Sequence, residues 1–175
     1  MTPGQLRRKP ARWQSRAMVI PMSDAAAAPP SRLPRTPLVR RTRALLIREG
    51  FRPDLLPGDP QFPVLYFRDE GARYYLQFDA DDSDFVQVSM ACELPKARRP
   101  DELTALRIAH SLQGSTKLVK VWLGPGASFV EFQAPLFLGG HRFGPELLRR
   151  CIGVVRHAAG DFWNRLLLVN PSARA

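Results

Sequence analysis

The sequence predicts an antiparallel α+β fold with its elements in the order αβββαββα. Three observations carry this. Ala72–Leu94, ARYYLQFDADDSDFVQVSMACEL, alternates apolar and polar residues on both sides of an acidic break, the pattern of two paired strands with one buried face each. Pro145–Leu166 places Leu148, Cys151, Ile152, Val155, Ala158, Ala159 and Phe162 on one side of a helical wheel and Arg149, Arg150, Arg156 and His157 on the other. Finally, strands and helices interleave without the regular βαβ alternation of a parallel sheet.

The first helix is expected over Pro37–Glu49, with Thr36 as its cap, Pro37 in the first turn and Gly50 as its terminator. Leu38, Val39, Thr42, Leu45 and Leu46 form its apolar stripe. Pro53–Pro60 reads as a turn-rich connector. The first strand is expected at Pro63–Phe67, followed by the polar turn Arg68-Asp69-Glu70-Gly71. Arg73–Asp79 and Phe85–Leu94 are the next two strands. The basic loop Lys96–Pro100 leads into a second helix over Pro100–Gln113, ended by Gly114. The fourth strand, Thr116–Leu123, sets Val119, Val121 and Leu123 against Leu118, Lys120 and Trp122. Gly124-Pro125-Gly126 turns the chain into the fifth, Ser128–Ala134.

With 175 residues, one domain of about 36–168 is expected between a basic tail, residues 1–35, and a short C-terminal tail, residues 169–175. The first tail is rich in Arg, Pro and Ala and lacks periodicity, the composition of a disordered segment. Met22 is a second plausible start, which would make residues 1–21 a mis-assigned extension. The net charge of +10 is uneven, because residues 1–35 hold +6 of it. A basic tail binds phosphate or anionic lipid without specificity, or is simply solvated. No apolar run approaches the 18 residues of a membrane span. Two cysteines, Cys92 and Cys151, make no disulfide framework. Both fall on apolar faces and read as buried thiols, which fits a cytoplasmic protein.

No catalytic or cofactor site is expected. Asp79, Asp81, Asp82 and Asp84 lack the glycine and distal glutamate of a calcium loop and read as a solvated hairpin turn. His110, His141 and His157 are scattered, with no zinc-ligand spacing and no expected pairing with Cys92. The glycine pairs match no phosphate-binding loop. Aromatic residues on strands serve a sheet core or, when exposed, a binding face. Tyr75, Leu118, Trp122 and Phe129 lie opposite the helix-covered side and are expected to leave apolar sheet surface. Ala105 and Ala109 form a smooth stripe on the second helix, flanked by Leu106, Ile108 and Leu112. A homodimer through this stripe or the neighbouring strand face is therefore expected.

The succession EGF (Glu49–Phe51), RYYLQFDADDSDF (Arg73–Phe85), SLQGSTKLVKVWL (Ser111–Leu123) and the closing amphipathic helix resembles the YbjN-like proteins of the type III secretion chaperone-like superfamily. The resemblance spans Thr36–Phe162. It departs from the family's asparagine-rich end of the second helix, where His110 and Gln113 stand here. It implies a curved antiparallel sheet and a non-enzymatic protein that binds other polypeptides, often as a homodimer, and it supplies no catalytic residue. The function expected is thus a non-catalytic, chaperone-like or regulatory module, binding polypeptide segments through a sheet edge or an apolar groove. The alternative is a nucleic-acid-associated protein using the basic tail and the Lys96–Arg99 loop.

Overall fold

The computed structural model describes residues 37–94, 96, 99–139 and 143–169. The expected cap Thr36, both terminal tails apart from Val169, residues 97 and 98 of the basic loop, and His141 lie outside the described residues.

The chain runs α1 (Pro37–Arg48), β1 (Asp54–Leu55), β2 (Val64–Asp69), β3 (Ala72–Phe78), β4 (Phe85–Glu93), α2 (Glu102–Ser115), β5 (Lys120–Leu123), β6 (Phe129–Phe137) and α3 (Pro145–Val169). All strand pairs are antiparallel, in the order β1-β2-β3-β4-β6-β5. The expected order holds with one addition: the connector contains β1, two residues that pair Asp54 with Tyr66 and Leu55 with Leu65, so the sheet has six strands. A two-residue strand is too short to show alternation, which is why only turn residues were legible there.

β2 and β3 are joined by Glu70 and Gly71, both at positive φ (47° and 79°). This is the two-residue hairpin turn whose twist matches that of the strands. β4 pairs with β3 on one side and with the whole of β6 on the other, so it forms the centre of the sheet. The pleat sorts the side chains cleanly. Leu65, Phe67, Tyr74, Leu76, Phe78, Val86, Val88, Met90, Val121, Val130, Phe132 and Ala134 share one face and are buried. Val155 and Phe162 of α3, Ala105 and Leu112 of α2, and Val39 and Leu46 of α1 join the same core. Phe132 meets Phe162 edge-on at 5.8 Å, and Phe67 stacks on Tyr74 at 5.3 Å and tilts against Phe51 at 4.8 Å.

Several boundaries differ from expectation. α2 passes through Gly114 and ends at Ser115, because Thr116 closes it: its backbone N–H and its hydroxyl both donate to Leu112 O, at 2.9 and 2.8 Å. At the other end Asp101 is the cap and not the first turn, accepting from Thr104 N–H at 2.9 Å. β6 continues through Pro135 to Phe137, and β5 begins only at Lys120. Gly124 N–H donates to Phe129 O across the β5–β6 pair, so odd-numbered residues of β6 direct their backbone groups toward β5. Pro135 therefore turns its missing N–H to that side, leaving its β4 ladder intact and offering β5 an acceptor but no donor to continue on. α3 extends three residues past Leu166, to Val169.

Candidate functional site

The helices cover one face of the sheet. The opposite face carries Tyr66, Arg68, Arg73, Tyr75, Gln77, Gln87, Ser89, Ala91, Glu131, Gln133, Lys120 and Trp122, in rows set by the strand register. It is not the apolar surface expected from the sequence. Tyr75 is buried, its ring 5.6 Å from that of Tyr66. Phe129 lies half-buried over Gly124, where an added Cβ would come within 2.1 Å of the ring. Trp122 remains exposed on this face, and Phe137, at the end of β6, adds a second exposed ring.

The polar centre of this face is Glu131, which strand alternation sets against Val130 and Phe132 and which no motif in the sequence singles out. It stands between Ala91 and Trp122 in register. Burial pushes its carboxyl above the usual carboxylate range, opposed by hydrogen bonds from Ser89 and Gln133. Ser89 is itself buried, one of only two buried polar side chains among the described residues. The signal in the sequence was weak: serine and glutamate on neighbouring strands acquire meaning only once the register pairs their rows.

Leu118 is a second correction. It precedes β5 and turns to the helix side, where it joins Leu136, Leu147, Cys151 and Val154 in an apolar cleft edged by Arg150. Because the ladder stops at Gln133, the segment Ala134–Phe137 of β6 has no strand beside it on this side among the described residues. By the same parity, the carbonyl of Pro135 and both backbone groups of Phe137 point to this open edge. Cleft and edge are contiguous through Leu136.

Ala105 and Ala109 do not form a free stripe. Both are buried, because α2 packs them into the core it shares with the sheet and α3. The exposed apolar residues of α2 are Leu103 and Leu106.

The acidic turn holds its own backbone: Asp79 Oδ1 accepts from Asp81 N–H and Asp82 Oδ1 from Asp84 N–H, each at 2.9 Å, while Gln61 donates to Asp81 Oδ2 at 2.6 Å. Among the described residues no three His, Cys, Asp or Glu side chains are placed to hold a metal. Burial raises both thiols, Cys151 to about 11, so both are protonated at neutral pH. His110 and His157 are exposed on helices, while Cys92 is half-buried and Cys151 buried. In the basic loop, Arg99 donates to Leu94 O from Nε and from an Nη, both at 3.2 Å, which ties the end of β4 to the start of α2. No helix among the described residues is long and apolar enough to cross a membrane.

No protein-family model and no curated protein matches the chain. Among solved structures, an uncharacterized protein from Methanothermobacter thermautotrophicus aligns at a TM-score of 0.59 and 13% identity, covering 73% of this chain and 94% of that one. YbjN from E. coli aligns at 0.48 and 16% identity, covering 78% and 93%. At these identities the likeness is one of fold, and the α+β architecture with an open antiparallel sheet is shared with the archaeal protein over nearly its whole length.

Proposed function

We propose that this chain is a YbjN-like, non-catalytic protein-binding module that takes an extended peptide along the open edge of β6. The observation that carries the reading is the overhang of β6 past β5, from Ala134 to Phe137, beside a cleft of Leu118, Leu136, Leu147 and Val154. An added strand would find backbone partners at Pro135 O and Phe137, and its alternate side chains would enter the cleft. Pro135 offers an acceptor but no donor, so the peptide register is restricted. Arg150 at the cleft edge favours a peptide with an acidic residue next to its apolar ones.

The test is selection from a random peptide library against the full chain. Enrichment of alternating apolar sequences with an acidic position is expected. Binding of the selected peptide should be lost in Leu118→Arg and Val154→Arg, whose parent residues are exposed and half-exposed. Peptides that bind these variants unchanged would refute the site. Self-association is expected through the exposed Leu103 and Leu106 in place of the buried Ala105 and Ala109. Sedimentation equilibrium at micromolar concentration tests this, and a single species at 19.7 kDa would exclude it.

A further inference from the structure

The charge of this protein is segregated more sharply than its tail alone suggests. Residues 53–175 carry fourteen cations and fourteen carboxylates and are neutral, so the whole +10 lies in residues 1–52. Within the described part, all of the excess sits on α1 and the turn after it: Arg40, Arg41, Arg43, Arg48 and Arg52 against the single carboxylate of Glu49. That carboxylate is engaged elsewhere, accepting from Arg149 of α3 at 2.5 Å. None of the five arginines makes an ion pair among the described residues.

Helical geometry gathers Arg40, Arg41 and Arg48 on one side and leaves Arg43 half-buried on the flank. Val39, Thr42, Leu45 and Leu46 are buried, and the opposite arc holds Arg40, Ala44, Arg48 and Arg41, with Arg52 exposed just beyond the helix. Arg41 and Arg48 are two turns apart, so the cationic stripe runs for about 10 Å along the axis.

We propose that this outer face of α1 binds the phosphodiester backbone of a polynucleotide. Guanidinium groups present a planar fork that matches phosphate oxygens bidentately. A lipid surface is the poorer partner, because an amphipathic helix binds membranes with its apolar side, and here that side is spent on the core. Ile47 is the only large apolar residue that α1 leaves exposed. None of these arginines lines the cleft beside β6, so the proposal does not rest on the peptide reading. Contacts of this kind carry no base recognition, so binding is expected to be insensitive to sequence.

The experiment follows fluorescence anisotropy of a labelled mixed-sequence DNA duplex and a labelled single-stranded RNA against the full chain, over a salt titration. A variant with Arg40, Arg41, Arg48 and Arg52 changed to Gln keeps every tail arginine, so whatever binding it retains belongs to the tail. For the duplex, the slope of log affinity against log salt should fall by roughly 0.9 per arginine removed, with affinity at low salt reduced by about tenfold or more. The milder Arg41→Gln/Arg48→Gln pair should show about half the change in slope, and it supplies the comparison if the fourfold variant melts early. An unchanged slope in both variants would overturn the proposal, as would failure of the full chain to bind either probe at low salt. Equal binding to polyglutamate, or binding to phosphatidylglycerol vesicles that depends on the same arginines when the nucleic acids fail, would also overturn it in favour of a different anionic partner.

Discussion

Nε of Arg156, halfway along α3, donates to the hydroxyl of Tyr74 on β3 at 3.0 Å. The same guanidinium bonds Asp69 and reaches Glu70 at 2.6 Å, so one side chain fastens the longest helix to the β2–β3 hairpin turn. Burial raises the Tyr74 phenol and the Arg156 bond opposes that rise. Arg156→Met keeps the aliphatic stem and removes the donors. The ion pairs are partly solvated and contribute little, while the phenol loses a partner in a half-dry setting. A loss of about 1–2 kcal/mol in urea unfolding is expected; no loss would show the contact to be ornamental.

Val155 lies fully buried at the centre of the α3 apolar side, as its position on the helical wheel predicts. Val155→Asp places a charge without a partner against the sheet. The cost is several kcal/mol out of a total of about 5–15 kcal/mol for a domain of this kind. Loss of cooperative thermal unfolding is expected, and a soluble, sharply melting variant would contradict the packing described.

Thr42 offers a gain. Its Oγ1 is buried and lacks a hydrogen-bond partner among the described residues. Thr42→Val keeps the shape and removes the unpaired hydroxyl, with an expected gain of about 1 kcal/mol, or about 3 °C in melting temperature. A lower melting temperature would show that the hydroxyl is satisfied in solution.

Glu131 gives the protein a pH dependence of known sign. Its carboxyl is raised in the folded state above the unfolded value near 4.5, so the native chain binds the extra proton. Its contribution to stability is therefore fully present below that unfolded value and is lost as pH rises through the higher folded one. Glu131→Gln should flatten this decline and leave the variant relatively more stable at neutral pH. Parallel stability-versus-pH curves for the two proteins would exclude the assignment.

What the sequence made legible follows from period and length. The β3–β4 hairpin and α3 are long enough for alternation and helical spacing to repeat several times, so their buried faces were readable residue by residue. Leu118 was misplaced because alternation was extended past the point where Pro135, seventeen residues later, ends the ladder. Ala105 and Ala109 looked like a free stripe because one helix wheel does not say which neighbour will cover it. The cleft, the overhang of β6 and the Ser89–Glu131 contact all arise from strand order, with β6 inserted between β4 and β5, and no local pattern encodes that order.

β6 is expected to accept another strand beyond Gln133. Amide hydrogen exchange of the full chain, with and without a library-selected peptide at saturation, reads it directly at Phe137, whose N–H points to the open edge. Protection of the Phe137 amide by about tenfold or more on binding is predicted, since a new ladder bond must break before exchange. A bound peptide that leaves Phe137 unprotected, and protects amides elsewhere, would contradict it.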